Sequence, residues 1–216
     1  MAEVNKAKIV TLFSTPVVVV NIGRSFTRDE TECFHTIPMH KDEKGMSNHQ
    51  SKDRYLFDTF VEELNDIINF CEQQLQYYLQ NIEGVDTDLA GLRITQSWLN
   101  KTKPDESHNP HHHPNSYLSG VLYIKCLPND HINFTQRPQG SYGAINFDFP
   151  KEKITVWNAT GLIQDVIEGD LILFPSWVSH HVDVNTTKDK DRISLSFNTF
   201  PTGELGGYDN ATHLKL

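Results

Sequence analysis

His108 to Lys125 reads HNPHHHPNSYLSGVLYIK, a run of four histidines and two prolines that feeds straight into an alternating strand. Outward from it, from Gly91 onward, the chain consists of short β-branched and aromatic runs separated by turn residues. Strands are expected at Leu92 to Leu99, Tyr117 to Cys126, His131 to Thr135, Ala144 to Phe149, Ile154 to Trp157, Gly161 to Ile167, Asp170 to Phe174, His180 to Val184 and Arg192 to Phe200. No helical pattern separates them, so alternating βαβ units are excluded and a mainly β body is expected, a β-sandwich or jelly roll.

Upstream, Lys8 to Asn21 reads as a strand that Pro16 demotes to an edge or splits. Thr27 to Asp53 is charged and poor in periodic apolar residues, and reads as a long surface loop. Between Asp58 and Asn81, Val61, Leu64, Ile68, Cys71, Leu75 and Tyr78 recur at three-and-four spacing, which predicts an amphipathic helix buttressing the β-body. The expected organisation is one domain over 1–216: strand, loop and supporting helix over 1–91, β-core over 92–200, and a tail over 201–216.

Charge and composition exclude several function classes. The chain of 216 residues carries 28 acidic and 19 basic residues, net −9, with no basic stripe, which argues against nucleic acid and anionic membrane as partners. The apolar run Val17 to Val20 is far shorter than a membrane span, and the N-terminus shows no secretory pattern, so a cytoplasmic location is expected. Three scattered cysteines, Cys33, Cys71 and Cys126, form neither a disulfide framework nor a zinc ribbon. An exposed edge strand near Val17 makes a homodimer the expected form of any self-association.

What stands out is histidine, 11 in all, with His180 and His181 forming a second group. In an extended segment His111 and His113 share a face and can converge on one ion, while His112 points away. Farther on, EGDLILFPSWVSHHVDV (168–184) carries an apolar strand that stops at Pro175, with His180 beyond it. Then RISLSFNTF (192–200) places Arg192, Ser194 and Ser196 on one face and Ile193, Leu195 and Phe197 on the other. An arginine on the inner face of a core strand calls for an anionic partner or a polar pocket.

H-x-H-P-N-S at 111–116, SGV-x-Y at 119–123, FPSW-x-x-H at 174–180 and R-x-S at 192–194 occur in the order that resembles the Fe(II)/2-oxoglutarate-dependent oxygenases, specifically their small bacterial and phage branch. The resemblance covers about Ser97 to Asn198 and implies a double-stranded β-helix (jelly roll, cupin-like) core. It implies His111, His113 and His180 as ligands of Fe(II), and Arg192 with Ser194 as partners of the far carboxylate of 2-oxoglutarate. Tyr123 or Tyr117 would add a hydroxyl there, and Asn115 would orient the metal loop or the cosubstrate. The implied reaction consumes O2 and 2-oxoglutarate, releases succinate and CO2, and hydroxylates a small-molecule or peptidyl substrate, a prolyl residue being one example. For a phage-encoded chain the cytoplasm would be the host's.

The commoner pattern of the family has a carboxylate where His113 stands, completing two histidines and one carboxylate. Three neutral histidines leave more positive charge on the ion and suit zinc too, so the alternative is a non-oxygenase, cupin-like zinc or binding module. Arg192 discriminates: buried and facing the metal site, it favours the enzyme; in solvent, it removes the cosubstrate. His108 is expected beside the ligands or at the surface, and Thr27 to Asp53, Leu99 to Pro110 and Leu127 to Gly143 are candidate lids.

Overall fold

The computed structural model describes residues 14–41, 47–135, 155, 159 and 161–216. The expected strands Ala144 to Phe149 and Ile154 to Trp157, and the first half of Lys8 to Asn21, lie outside the described residues or almost wholly so. Along the chain the strands are β1 (Val18–Asn21), β2 (Met39–Lys41), β3 (His49–Ser51), β4 (Ala90–Thr102), β5 (His108–His111) and β6 (Leu118–Lys125). There follow β7 (His131–Thr135), β8 (Gly161–Asp165), β9 (Asp170–Pro175), β10 (Ser179–Val182), β11 (Arg192–Leu205) and β12 (Leu214–Lys215). Helices α1 (Arg28–Thr36), α2 (Leu56–Thr59) and α3 (Asn65–Tyr78) precede β4.

Among the described residues these strands make two antiparallel sheets, the layering of a jelly roll. The larger runs β1-β9-β6-β11-β4-β3-β2 with β12 beside β11, and the smaller runs β5-β10-β7-β8. Strand alternation then sorts the side chains into two cores. Leu99, Leu118, Leu122, Leu171, Leu173, Leu195 and Phe197 pack with Ile67, Cys71 and Leu75 of α3 on the outer face of the large sheet. On its inner face Val121, Tyr123, Ile172 and Phe174 meet Ile132 and Phe134 of the small sheet. The alternation expected in 192–200 holds: Ile193, Leu195 and Phe197 enter the helix-side core, whereas Arg192, Ser194 and Ser196 line a cavity between the sheets.

Three expectations need correction. Thr27 to Asp53 is not a bare loop; it holds α1 and the β2–β3 hairpin, which extends the large sheet. Its start is a capping box: Thr27 Oγ accepts from the Glu30 N–H at 3.2 Å, and the Glu30 carboxylate accepts from the Thr27 N–H at 2.7 Å. Buried Glu30 also receives Arg24 Nη2 at 2.6 Å, so the charges that suggested a loop are spent in a cap. The helix expected over Asp58 to Asn81 is broken. Its first turn, α2, is pinned to β4 by the Phe57 N–H donating to Ser97 Oγ at 2.8 Å. The chain restarts at α3, then widens into a π-turn at Leu79–Glu83 that ends at Gly84 in the left-handed region, φ 67°. Finally, β4 and β11 run several residues beyond their expected ends because they pair with each other, with a shift in register at Asn198/Thr199. No helix among the described residues is long and apolar enough to cross a membrane.

Candidate metal centre and its cavity

β5 and β10 are neighbours in the small sheet, and their register sets His111 directly opposite His180. His113 lies just past the end of β5, held by its N–H donating to the Ser176 carbonyl at 2.9 Å, at the turn where β9 leads into β10. A positive φ of 58° at Asn115 then turns the chain into β6. The result is one cluster. The ring centroids lie 4.3 Å (His111–His180), 5.0 Å (His111–His113) and 5.2 Å (His113–His180) apart. One ligand nitrogen from each histidine falls within 4.8 Å of the other two.

The hydrogen bonds fix which nitrogens face the centre. His180 Nδ1 donates to the Val178 carbonyl at 3.1 Å and His111 Nδ1 to the Asn109 carbonyl at 2.8 Å, since a carbonyl only accepts. Each therefore presents the lone pair of Nε2, the form that binds metal. His113 Nε2 and His180 Nε2 stand 3.4 Å apart, close enough for one cation to bridge them through bonds of about 2.1 Å. Burial holds the imidazoles neutral: it pushes His180 down to about 2 and His113 to about 4, helped in each case by its histidine neighbours, and lowers His111 as well. The donor set suits a divalent ion.

The other histidines take the places expected of non-ligands. His181 turns to Asp183 at 3.6 Å, and His112 lines an outer groove. His108 stacks on His111 with centroids 4.2 Å apart, and its own burial drives it to about 3. Trp98 stacks on His113 at 5.7 Å, and Phe174 packs edge-on against His180 at 4.6 Å, closing the centre with apolar rings.

Behind the histidines lies a narrow inner cavity lined by Asn100, Tyr123, Arg192, Ser194 and Ser196 among others. Arg192 is 6% exposed, and among the described residues it is the only lysine, arginine, aspartate or glutamate of that lining. Its guanidinium is gripped from one side by Asp130: Nε donates to Oδ2 at 2.7 Å and Nη2 to Oδ1. Nη1 is buried and has no partner among the described residues. A buried N–H of a guanidinium left unpaired is costly, and a ligand carboxylate is the group that would satisfy it, so the lining fits the far end of a 2-oxo diacid. Trp98 Nε1 is a second unpartnered buried donor of this cavity. Trp98, His108, His111 and His113 also line an adjoining groove of about 500 Å³, together with Gln50, Gln96, Asn109 and Asn198.

Of the residues named from sequence, the fold gathers His111, His113, His180, Arg192, Ser194 and Tyr123 around this cavity. Tyr117 is 40% exposed, and neither it nor Asn115 is part of the lining. Sequence reasoning missed Asp130, whose only signal was its place in the Asn129-Asp130 turn before β7, and missed Asn100, which alternates inward along β4 with Trp98, a residue the sequence offers as core or pocket wall.

Residues 96–198 match the family model described as "Putative 2OG-Fe(II) oxygenase". No curated protein matches the sequence. Among solved structures, an oxidoreductase of the 2OG-Fe(II) oxygenase family from Burkholderia pseudomallei is similar in fold at 14% identity and a TM-score of 0.56, over 85% of this chain and 84% of that one. The α-ketoglutarate-dependent epimerase SnoN of nogalamycin biosynthesis is similar at 12% identity and a TM-score of 0.54, over 88% and 81%. The carbocyclase SnoK of the same biosynthesis follows at 13% identity and a TM-score of 0.52, over 90% and 84%.

Proposed function

We propose a residue-level reading of the reaction from the premise that this chain belongs, through residues 96–198, to the 2OG-Fe(II) oxygenases. His111, His113 and His180 hold Fe(II), and Arg192 receives the far carboxylate of 2-oxoglutarate through Nη1. Ser194 and Tyr123 supply hydroxyls beside it. When bound, iron, 2-oxoglutarate and O2 supply the oxidising power that hydroxylates a C–H bond while succinate and CO2 are released. The chain's own part is to hold and to exclude: carbonyls of Asn109 and Val178 orient the imidazoles, and Trp98, Phe134 and Phe174 keep water from the centre.

The observation that carries this reading is the buried Arg192, which lines the same cavity as the histidines and has Nη1 unpaired among the described residues. A zinc-binding module has no use for that arrangement. Of the two tyrosines, Tyr123 is the one we assign to the carboxylate, because it lines the cavity. Asn115 acts through the turn it makes between His113 and β6. The substrate lies in the outer groove, where the carboxamides of Gln96, Asn109 and Asn198 suit hydrogen-bonding to a peptide backbone; a peptidyl residue such as proline is the class we assign.

The test is anaerobic titration of Fe(II) and 2-oxoglutarate, following the visible charge-transfer band of the chelate. The band is expected in the wild type, lost in His180→Ala and weakened at least tenfold in cosubstrate affinity in Arg192→Gln. Tight metal binding without any band overturns the oxygenase reading.

A further inference from the structure

The Arg192–Asp130 pair raises a question the proposed reaction does not answer. If Arg192 exists to bind a carboxylate, a second carboxylate bound to the same guanidinium works against that purpose. Asp130 is fully committed to this duty: its side chain is wholly buried, it takes Nε and Nη2 of Arg192, and it also accepts the N–H groups of Leu127 and His131, both at 3.0 Å. It is not among the residues that line the cavity, and it leaves Nη1 without a partner among the described residues.

A charge sum shows what the pair does. Among the described residues, no carboxylate, lysine or other arginine lines the cavity beside Arg192. With Asp130 cancelling Arg192, the protein's share of the charge is zero. A divalent ion and a doubly negative 2-oxo diacid then sum to zero together, but the diacid alone would bring two uncompensated negative charges into a dry cavity. Burial of unbalanced charge is strongly unfavourable. Without Asp130, Arg192 by itself would be an anion site whether or not metal were present.

We propose that Asp130 is a positioning and specificity-determining residue that makes binding of the dicarboxylate depend on the metal. It holds the guanidinium edge so that Nη1 meets the cavity, and its charge suppresses capture of the diacid, or of any cellular anion, by the metal-free protein. The proposal rests on the cosubstrate reading given above.

The experiment is calorimetric titration of 2-oxoglutarate into metal-stripped and Zn(II)-loaded protein, for the wild type, Asp130→Asn and Asp130→Asn/Arg192→Gln. Asparagine keeps one acceptor oxygen for Arg192 and removes the charge, at the loss of one of the two oxygens that accept the Leu127 and His131 N–H groups. Metal-stripped Asp130→Asn is expected to bind 2-oxoglutarate roughly tenfold tighter or more than metal-stripped wild type, and the double variant to lose that gain. A merely structural Asp130 predicts the opposite, equal or weaker binding in Asp130→Asn, and that result overturns the proposal, as does a gain that survives in the double variant. If Asp130→Asn is unfolded when isolated, circular dichroism in excess formate replaces calorimetry: recovery of the fold supports an orphaned anion site, and no recovery counts against it. If the Zn(II)-loaded wild type itself binds no 2-oxoglutarate, the cosubstrate reading falls and takes this inference with it; if it binds, and Asp130→Asn shows no gain, this inference alone falls.

Discussion

His111 and His180 face each other across the β5–β10 pair as register partners. Because the side-chain period of a strand is 2, His181 must leave the centre when His180 enters it. His180→Ala is therefore expected to weaken Co(II) or Zn(II) binding at least 100-fold, and His181→Ala to change it by no more than about threefold. Competition with a chromogenic chelator measures both. Equal losses in the two variants would place the ligand wrongly.

The neutral histidines tie stability to pH. His108, His113 and His180 are lowered to about 3, 4 and 2, first of all by burial and then by neighbouring histidines. An unfolded histidine titrates near 6.5, so as pH falls below that value the unfolded chain takes up protons that the folded chain refuses. Stability of the metal-free protein is expected to be flat above about pH 7.5 and to fall on acidification toward pH 5, by up to about 1.4 kcal/mol per pH unit for each such histidine. Urea midpoints at pH 7.5, 6.5 and 5.5 give the slope, and His108→Gln should reduce it by roughly a quarter, since His111 is lowered too. An unchanged slope in that variant would remove His108 from the account.

The β-body and the inward face of Arg192, Ser194 and Ser196 were readable because a period of 2 needs only the local sequence. The family resemblance picked out His180, and the same alternation put His181 on the opposite face. Segment 27–53 misled because its charges were read as solvent-facing, when Glu30 and Arg24 satisfy each other in a cap; the T-x-x-E spacing that starts it was present in the sequence. Asp130 was unreadable for a different reason. Its partner stands 62 residues away on another strand, and nothing local distinguishes a buried carboxylate in a turn from an exposed one.

Gly120 and Phe197 are register partners in β6 and β11, and the Phe197 ring lies over the glycine: a Cβ added at Gly120 would sit 2.1 Å from Cζ. The ring is fully buried in the helix-side core, so it has nowhere to retreat. Gly120→Ala is expected to cost about 1–3 kcal/mol, read as a lower denaturant midpoint. The double change Gly120→Ala/Phe197→Leu should be less destabilised than the sum of the singles, because each change relieves the other's clash or void. Simple additivity would show that the contact is not the cause.

Glu106 ties the β2–β3 hairpin to the loop that launches β5. It accepts Lys41 Nζ at 2.9 Å, the Lys103 N–H at 3.0 Å and His49 Nδ1 at 3.1 Å, and Ser47 Oγ donates to the neighbouring Ser107 carbonyl. Two residues beyond Glu106 the chain enters β5, so this clamp sets where His108 and His111 begin. Burial pushes the Glu106 carboxyl up, but the Lys103 N–H, Lys41 and His49 together outweigh it and the net shift is downward. A lowered carboxyl contributes stability above its unfolded value of about 4.5, and that contribution is lost as pH falls through the folded value. Glu106→Gln is expected to cost about 1–3 kcal/mol at pH 7 and little at pH 3, so the two unfolding curves should converge on acidification. Because the displaced loop carries His111, metal affinity should fall about tenfold in the same variant, with the Val178-anchored His180 left in place. Lost stability with full metal affinity would confine the clamp to the hairpin and separate it from the centre.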